Sequence, residues 1–164
     1  FGSIKNNKLI IDSLKFSFRS KKFKKFNIII INKFLRKKMI PVLYTQNVKI
    51  YKYIKNIDNI YSKTYFSFGS CGISLYEKSF YNIPTIAICS TKNQKFNFKN
   101  FLSKKYIISF NKTIDKMNKS QNFDYNNFEK DLINVKDNLE HKFNIYNNKK
   151  KLKDYFKNFK WVRT

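Results

Sequence analysis

The sequence predicts an α/β fold, a mainly parallel sheet with helices on its flanks. Three observations carry this. Short runs rich in Ile, Val and Phe alternate with stretches whose apolar residues recur at helical spacing. The connections between them are short. The run "FNIIII" (26–31) is continuous and β-branched, as expected of a strand covered on both faces. Strands alternating with helices build right-handed βαβ units. The arrangement is Rossmann-like, and ligands of such sheets bind outside the carboxyl ends of the strands.

Each element has its own signal. In "NKLIIDSLKFSF" Ile11, Leu14 and Phe18 share a helical face, with Ile10 beside them. "KFLRKKMI" suits a short helix before Pro41. "NVKIYKYI" (47–54) reads as a strand running into a loop, and "NIDNIYSK" as a short helix. "TYFSF" (64–68) reads as a strand ended by Gly69. "ISLYEKSFY" reads as a helix with Ile73, Tyr76 and Phe80 on one face. "PTIAIC" (84–89) is a strand with Pro at its first position, where the missing N–H is tolerated. "NFKNFLSK" groups Phe98, Phe101 and Leu102, and "YIISF" (106–110) is a further strand. The polar "NKTIDKMNKSQNFDYN" (111–126) is expected to be a loop with a short turn. Beyond it Phe128, Leu132, Val135, Leu139, Phe143 and Tyr146 recur at helical spacing, and Leu152, Phe156 and Phe159 repeat the pattern before Trp161. These predict a helical C-terminal tail that packs back on the sheet or on a partner domain.

At 164 residues the chain suits one domain. It opens on Phe1, and "FGS" reads as the end of a strand and a turn. The expectation is a fragment lacking its first strand, with a sheet domain over 1–115 and a tail over 116–164. No apolar run has membrane-spanning length and no signal-peptide pattern is visible. Cys71 and Cys89 suit neither a metal site nor a disulfide framework, so the expected compartment is reducing and cytoplasmic, with no metal or cofactor. His141, the only histidine, lies among charges and reads as a surface residue.

The formal net charge is +25, from 35 Lys and Arg against 10 Asp and Glu. Such a balance ordinarily points to nucleic acid or an anionic membrane. Here Lys, Asn, Ile, Phe and Tyr, all with A- and T-rich codons, dominate together, and the lysines are spread over every segment. A phosphate-binding surface clusters its charge and favours Arg. The reading therefore disfavours a nucleic-acid partner and keeps a basic nucleic-acid-binding module as an alternative.

The chain has three glycines, and Gly69 and Gly72 stand together in "FSFGSCGISLYEKSFYNIP" (66–84). Strand, glycine loop, helix and strand follow in order. Helix N-termini carry unpaired N–H groups and a partial positive charge that favour an anion. Glycines permit unusual φ and close approach of a phosphate. The N–H groups of Cys71, Gly72, Ile73 and Ser74 are the candidates to hold it. Glu77 lies about one turn into the helix, where its acceptor oxygens suit the hydroxyls of a ribose. Gly2 sits at a second strand end.

The stretch "GSCGISLYEKSFYNIPTIAI" resembles the pattern G-x-G-G-x-[ST]-x-W-E-x-x-x-x-G-x-P-x-[IV] of the UDP-2,4-diacetamido-2,4,6-trideoxy-β-L-altropyranose hydrolases of pseudaminic acid synthesis. These are similar to MurG-like glycosyltransferases of the GT-B architecture. "FGSIKNNKLIIDSLK", "VKIYKYIKNIDNIYSKTYFSF" and "TKNQKFN" resemble further segments of that family, so the likeness covers roughly residues 1–110. Cys71 replaces one glycine of the pattern, Tyr76 its Trp, Asn82 the Gly before Pro84, and Ile4-Lys5 its Ser/Thr-Asp. Asn82 remains able to take the left-handed cap conformation.

The resemblance implies the C-terminal half of a UDP-sugar hydrolase. Gly69, Cys71, Gly72, Ile73 and Ser74 would line the diphosphate and Glu77 would bind the ribose. Ile54, Asn56 and Ile57 would border the uracil. Gln94, with Asn93 and Asn97, would face the sugar, and Gly2 and Ser3 would form a second loop over an interdomain cleft. The family's catalytic base lies in an N-terminal domain, so no catalytic residue is expected in this chain, and 1–164 alone is expected to be inactive. A GT-B glycosyltransferase and a non-catalytic remnant fit the same half.

Overall fold

A computed structural model of the chain describes residues 7–41, 44, 47–120 and 122–143. Helix α1 (Asn7–Arg19) buries Ile10, Ser13, Leu14, Phe16 and Ser17, and the hydroxyls of Ser13 and Ser17 donate back to Leu9 and Ser13 carbonyls. A 3-10 turn at Phe23–Lys25 leads into β1 (Ile28–Ile31), and another at Lys37–Met39 precedes β2 (Val48–Tyr51). Helix α2 (Asp58–Tyr61) follows, then β3 (Ser67–Ser70), α3 (Ile73–Phe80), β4 (Thr85–Ile88), α4 (Lys95–Ser103), β5 (Ile107–Ser109), α5 (Phe110–Lys119) and α6 (Tyr125–Phe143).

The fold is α/β and Rossmann-like, and every strand pair is parallel. β1 pairs with β2 (Ile28 opposite Val48), and β3, β4 and β5 form a second sheet in that order (Ser67 opposite Thr85, Thr85 opposite Ile107). Alternation along each strand divides the layers. Phe68, Ile86, Ile88 and Ile108 face a core with Phe16 of α1, Ile114 and Met117 of α5, and Phe128 and Leu132 of α6. Cys71, Ala87 and Ile107 face the opposite layer, with Leu75 of α3 and Phe101 of α4. Ile10 and Leu14 of α1 continue onto β1 and β2 through Ile28, Ile30, Val48 and Ile50. The helix α6 thus packs back on the sheet, and its last residue, Phe143, reaches Phe80 of α3.

Several expectations need correction. β1 is not covered on both faces: its residues are half-buried and Ile29 is 39% exposed. β3 starts and ends later than expected and runs through Gly69 rather than stopping at it. The buried face of α3 is Leu75, Lys78 and Ser79, and Ile73 is exposed. The stretch 34–40 forms only a 3-10 turn. Cys89 ends an apolar run and reads as a buried small hydrophobe, but it is half-buried, with its thiol on the Thr91 carbonyl at 3.4 Å. The largest change concerns 111–126, of which 111–119 is helical. Phe110, Thr113, Ile114 and Met117 are buried there at i, i+3, i+4 and i+7, an amphipathic period hidden by the polar residues between them. α5 runs through residue 115, so sheet and tail share an element. Tyr146 and the pattern 152–161 lie outside the described residues, as do Gly2 and Ser3. Among the described residues no helix is long and apolar enough to cross a membrane.

Two helices end in matching six-residue turns. Ile83 N–H donates to the Lys78 carbonyl and Asn82 N–H to Ser79, both at 3.0 Å, with Asn82 at φ 51°. Tyr106 N–H donates to Phe101 at 2.9 Å and Lys105 N–H to Leu102 at 3.1 Å, with Lys105 at φ 56°. These are Schellman caps closed without glycine. Asn tolerates the left-handed region, while a lysine there strains against its own Cβ. Lys105→Gly is therefore expected to raise stability by roughly 0.5–1 kcal/mol, read as a higher urea midpoint at unchanged slope.

Candidate functional site

The structure brings the glycine loop, α3 and the start of α4 together. Gly72 is the N-cap of α3, with extended backbone (φ −87°, ψ −161°), and no side chain caps the helix. The first intrahelical donor is Leu75, on the Gly72 carbonyl at 3.0 Å. The N–H groups of Gly72, Ile73 and Ser74 have no acceptor among the described residues. Cys71 differs from the expectation. Its N–H donates to the Ile88 carbonyl at 3.3 Å and completes the β3–β4 ladder, so it is not free for an anion. Its side chain is fully buried among Leu75, Ala87, Phe101 and Ile107, and burial pushes the thiol up to about 12. That thiol is a core group and not a reactive one.

Gln94, in the 3-10 turn before α4, is oriented toward this loop. Its Oε1 accepts from the Ser90 N–H (3.1 Å) and hydroxyl (2.9 Å). Its Nε2 lies 3.7 Å from where a Cβ on Gly72 would stand. Asn97, expected to face a sugar, is instead committed to the protein. Its Oδ1 accepts from the Tyr76 hydroxyl (2.9 Å) and its Nδ2 donates to the Cys71 carbonyl (3.4 Å), tying α4 to the loop. Tyr76 also packs edge-on against Phe101. Asn93 is exposed and pairs with the Thr91 hydroxyl.

Glu77 is half-buried on α3 and lies against Tyr61 of α2. Burial, with the carboxylate as the next cause, pushes the Tyr61 hydroxyl up to about 12. A second α2–α3 tie joins the Tyr81 hydroxyl to Asp58 at 2.5 Å. Ile54 and Ile57 are half-buried on the β2–α2 connection, and the Asn56 side chain accepts from the Asp58 N–H at 3.1 Å. The α2 helix that follows is tied to the middle and C-terminal end of α3, through Tyr61 and Asp58.

Lys78 is the residue that sequence reasoning missed. It is 8% exposed, and its Nζ stands 2.5 Å from the position of a Cβ on Gly69. Gly69 therefore serves by leaving room for an ammonium group, not by adopting positive φ, which no described glycine does. The Lys78 ammonium has no hydrogen-bond or salt-bridge partner among the described residues. Burial holds its pKa down to about 8, against smaller opposing effects of Glu77 and Cys71. No family model, characterised protein or solved structure matches the chain.

The arrangement gathers three N–H donors, the Gln94 amide beside Gly72, the Lys78 ammonium beside Gly69 and a carboxylate one turn along α3. Two clefts lie elsewhere, one between β5, α5 and α6 and one beside Lys22 and Asn126. Among the described residues no cluster of His, Cys, Asp or Glu is placed to hold a metal ion.

Because the folded pKa of Lys78 lies below the unfolded value of 10.5, the unfolded chain binds more protons between about pH 8 and 10.5. Stability arising from this group is therefore lowest below pH 8 and recovers as pH rises through that window. Lys78→Met is expected to stabilise the fold at pH 7 by on the order of 1–3 kcal/mol, with the advantage vanishing toward pH 10.5. Urea titrations of both proteins across that range measure it.

Proposed function

We propose that the N-terminus of α3 binds the diphosphate of a nucleotide sugar, and that the chain is the nucleotide half of a UDP-sugar hydrolase. One observation carries the anion site: the unpaired N–H groups of Gly72, Ile73 and Ser74 share a corner with the Gln94 amide, whose other end is held by Ser90. Helix dipole and converging donors favour negative charge there. Lys78 adds a cation behind the loop. Glu77, one turn on, offers acceptor oxygens to ribose hydroxyls. The UDP-sugar itself comes from the resemblance of residues 66–84 to the pseudaminic-acid hydrolases.

In that reading the site holds and neutralises the leaving diphosphate while water attacks the sugar–UDP linkage, an electrostatic contribution to the reaction. By the same resemblance, a further domain would supply the base. A glycosyltransferase uses the same half, with an acceptor hydroxyl in place of water.

Ile73→Pro isolates the anion site. Proline is tolerated at the first helical position, and Gly72 already has the extended backbone that must precede it. The variant is expected to keep its melting temperature and lose at least about 10-fold in UDP affinity by titration calorimetry, the loss of one charge-assisted hydrogen bond.

Glu77→Gln tests the ribose contact. It is expected to erase the preference for UDP over 2′,3′-dideoxy-UDP while leaving dideoxy-UDP affinity unchanged. Equal UDP affinity in both variants and the parent sinks the assignment. Salt-sensitive binding of single-stranded RNA with no response to UDP points instead to the nucleic-acid module.

A further inference from the structure

We infer that Cys71 and Cys89 form one oxidation site, in which a hydroperoxide joins them in a disulfide that bridges the carboxyl ends of β3 and β4. This inference is independent of the nucleotide reading. It rests on the register of the two strands, on a pair of neighbouring hydroxyls and on the unequal exposure of the two thiols.

β3 and β4 are parallel, with Ser67 opposite Thr85, Gly69 opposite Ala87 and Ser70 opposite Ile88. Within this ladder the Ser67 N–H donates to the carbonyl of Pro84, the residue before its partner, at 2.9 Å. The Cys71 N–H donates to the Ile88 carbonyl at 3.3 Å in the same way. The ladder therefore runs one rung further, and the residue opposite Cys71 is Cys89. Side chains alternate along a strand, so Ser67, Gly69 and Cys71 share one face with Thr85, Ala87 and Cys89. Cys71 and Ala87 pack together on that face, under Leu75 of α3 and Phe101 of α4.

Neighbouring strands lie about 4.7–4.9 Å apart, within the Cα separation that disulfides span. The first pair of the row measures what this spacing gives at the γ position. The Ser67 and Thr85 hydroxyl oxygens are 2.9 Å apart. Two sulfurs at the third pair of the same row are correspondingly near. The Cys89 thiol donates to the Thr91 carbonyl at 3.4 Å, and a change of its χ1 rotamer turns it toward Cys71. Burial, and after it the Cys89 thiol, pushes the Cys71 thiol up to about 12, which also marks the two as neighbours.

The thiols divide the chemistry between them. Cys71 is fully buried and meets no reagent from outside, whereas Cys89 is half-buried. The Cys89 sulfur attacks hydrogen peroxide, the O–O bond breaks, and one water leaves with the thiol proton. Cys89 is then a sulfenic acid. The Cys71 sulfur attacks the Cys89 sulfur, the S–O bond breaks, and the hydroxyl leaves as a second water with the Cys71 proton. One peroxide is reduced to two waters and two thiols are oxidised to one disulfide. Cys71 thus acts only inward, on a partner that the register has placed beside it.

The bond fastens both sides of the donor cluster. Cys71 begins the glycine loop, and Cys89 precedes Ser90, which holds Gln94. Register partners on parallel strands keep their Cβ atoms about as far apart as the strands themselves, beyond the separation of a relaxed bridge. The bond is therefore strained and readily reduced again by thiols.

The test exposes the folded chain to hydrogen peroxide, unfolds it in urea with iodoacetamide and weighs it by mass spectrometry. The untreated chain is expected to take up two carbamidomethyl groups and the treated chain none, with dithiothreitol restoring both. Cys89→Ser, at a half-buried position, is expected to keep the fold and to leave Cys71 fully alkylated after the same exposure. Cross-linking is expected to run at least about 10-fold faster in the folded chain than in urea, because the register holds the sulfurs together. Peroxide that leaves both thiols free, or that carries Cys89 to a sulfinic acid while Cys71 is still alkylated, overturns the inference. So does a bridge between two chains on a non-reducing gel, or a bridge that forms only in urea.

Discussion

The two sheets share no hydrogen-bonded strand pair among the described residues, so side-chain packing has to hold them together. Phe16 is the centre of that packing. It is fully buried and its ring meets those of Phe23, Phe68, Phe123, Tyr125 and Phe128 at centroid distances between 4.9 and 6.2 Å. Aromatic pairs of this geometry contribute about 0.5–1.5 kcal/mol each beyond area burial. They also fix α1 against β3 on one side and α6 on the other. The position of the glycine loop follows, because β3 carries it. A chain with 18 Phe and 11 Tyr builds this junction from rings where others would use Leu and Val.

Much of the fold was legible in the sequence, for reasons that differ by element. The helices α1 and α6 bury apolar residues at helical spacing, and β4 and β5 are short apolar runs with both faces covered, whereas α3 buries Lys78 and Ser79 beside Leu75 and exposes Ile73. Periodicity reports such burial directly. β1 misled because four isoleucines suggest two covered faces, yet the strand borders an open edge. α5 misled in the other direction. Thr113 and Met117 are buried between lysines and asparagines, and composition outweighed spacing.

The candidate site was legible where it depends on backbone and rare residues. Gly72 and Gln94 were named from the sequence and are adjacent in space. Asn97 was named too, but its amide is spent on Tyr76 and Cys71. Lys78 carried no signal, since one lysine among so many has nothing to mark it until burial is known. The reason for glycine also changed. Among the described residues the left-handed positions belong to Asn47, Asn82 and Lys105, and Gly69 leaves room for an ammonium instead.

The edges of β1 and β3 that lack a strand partner among the described residues have a colloidal consequence. Unpaired strand edges recruit other copies of a chain as readily as they recruit a proper neighbour. A surface with a formal excess of 25 positive charges keeps such copies apart by repulsion over roughly 10 Å at ordinary ionic strength. Lysines outside the site therefore add electrostatic repulsion between copies. That repulsion weakens as salt shortens its range.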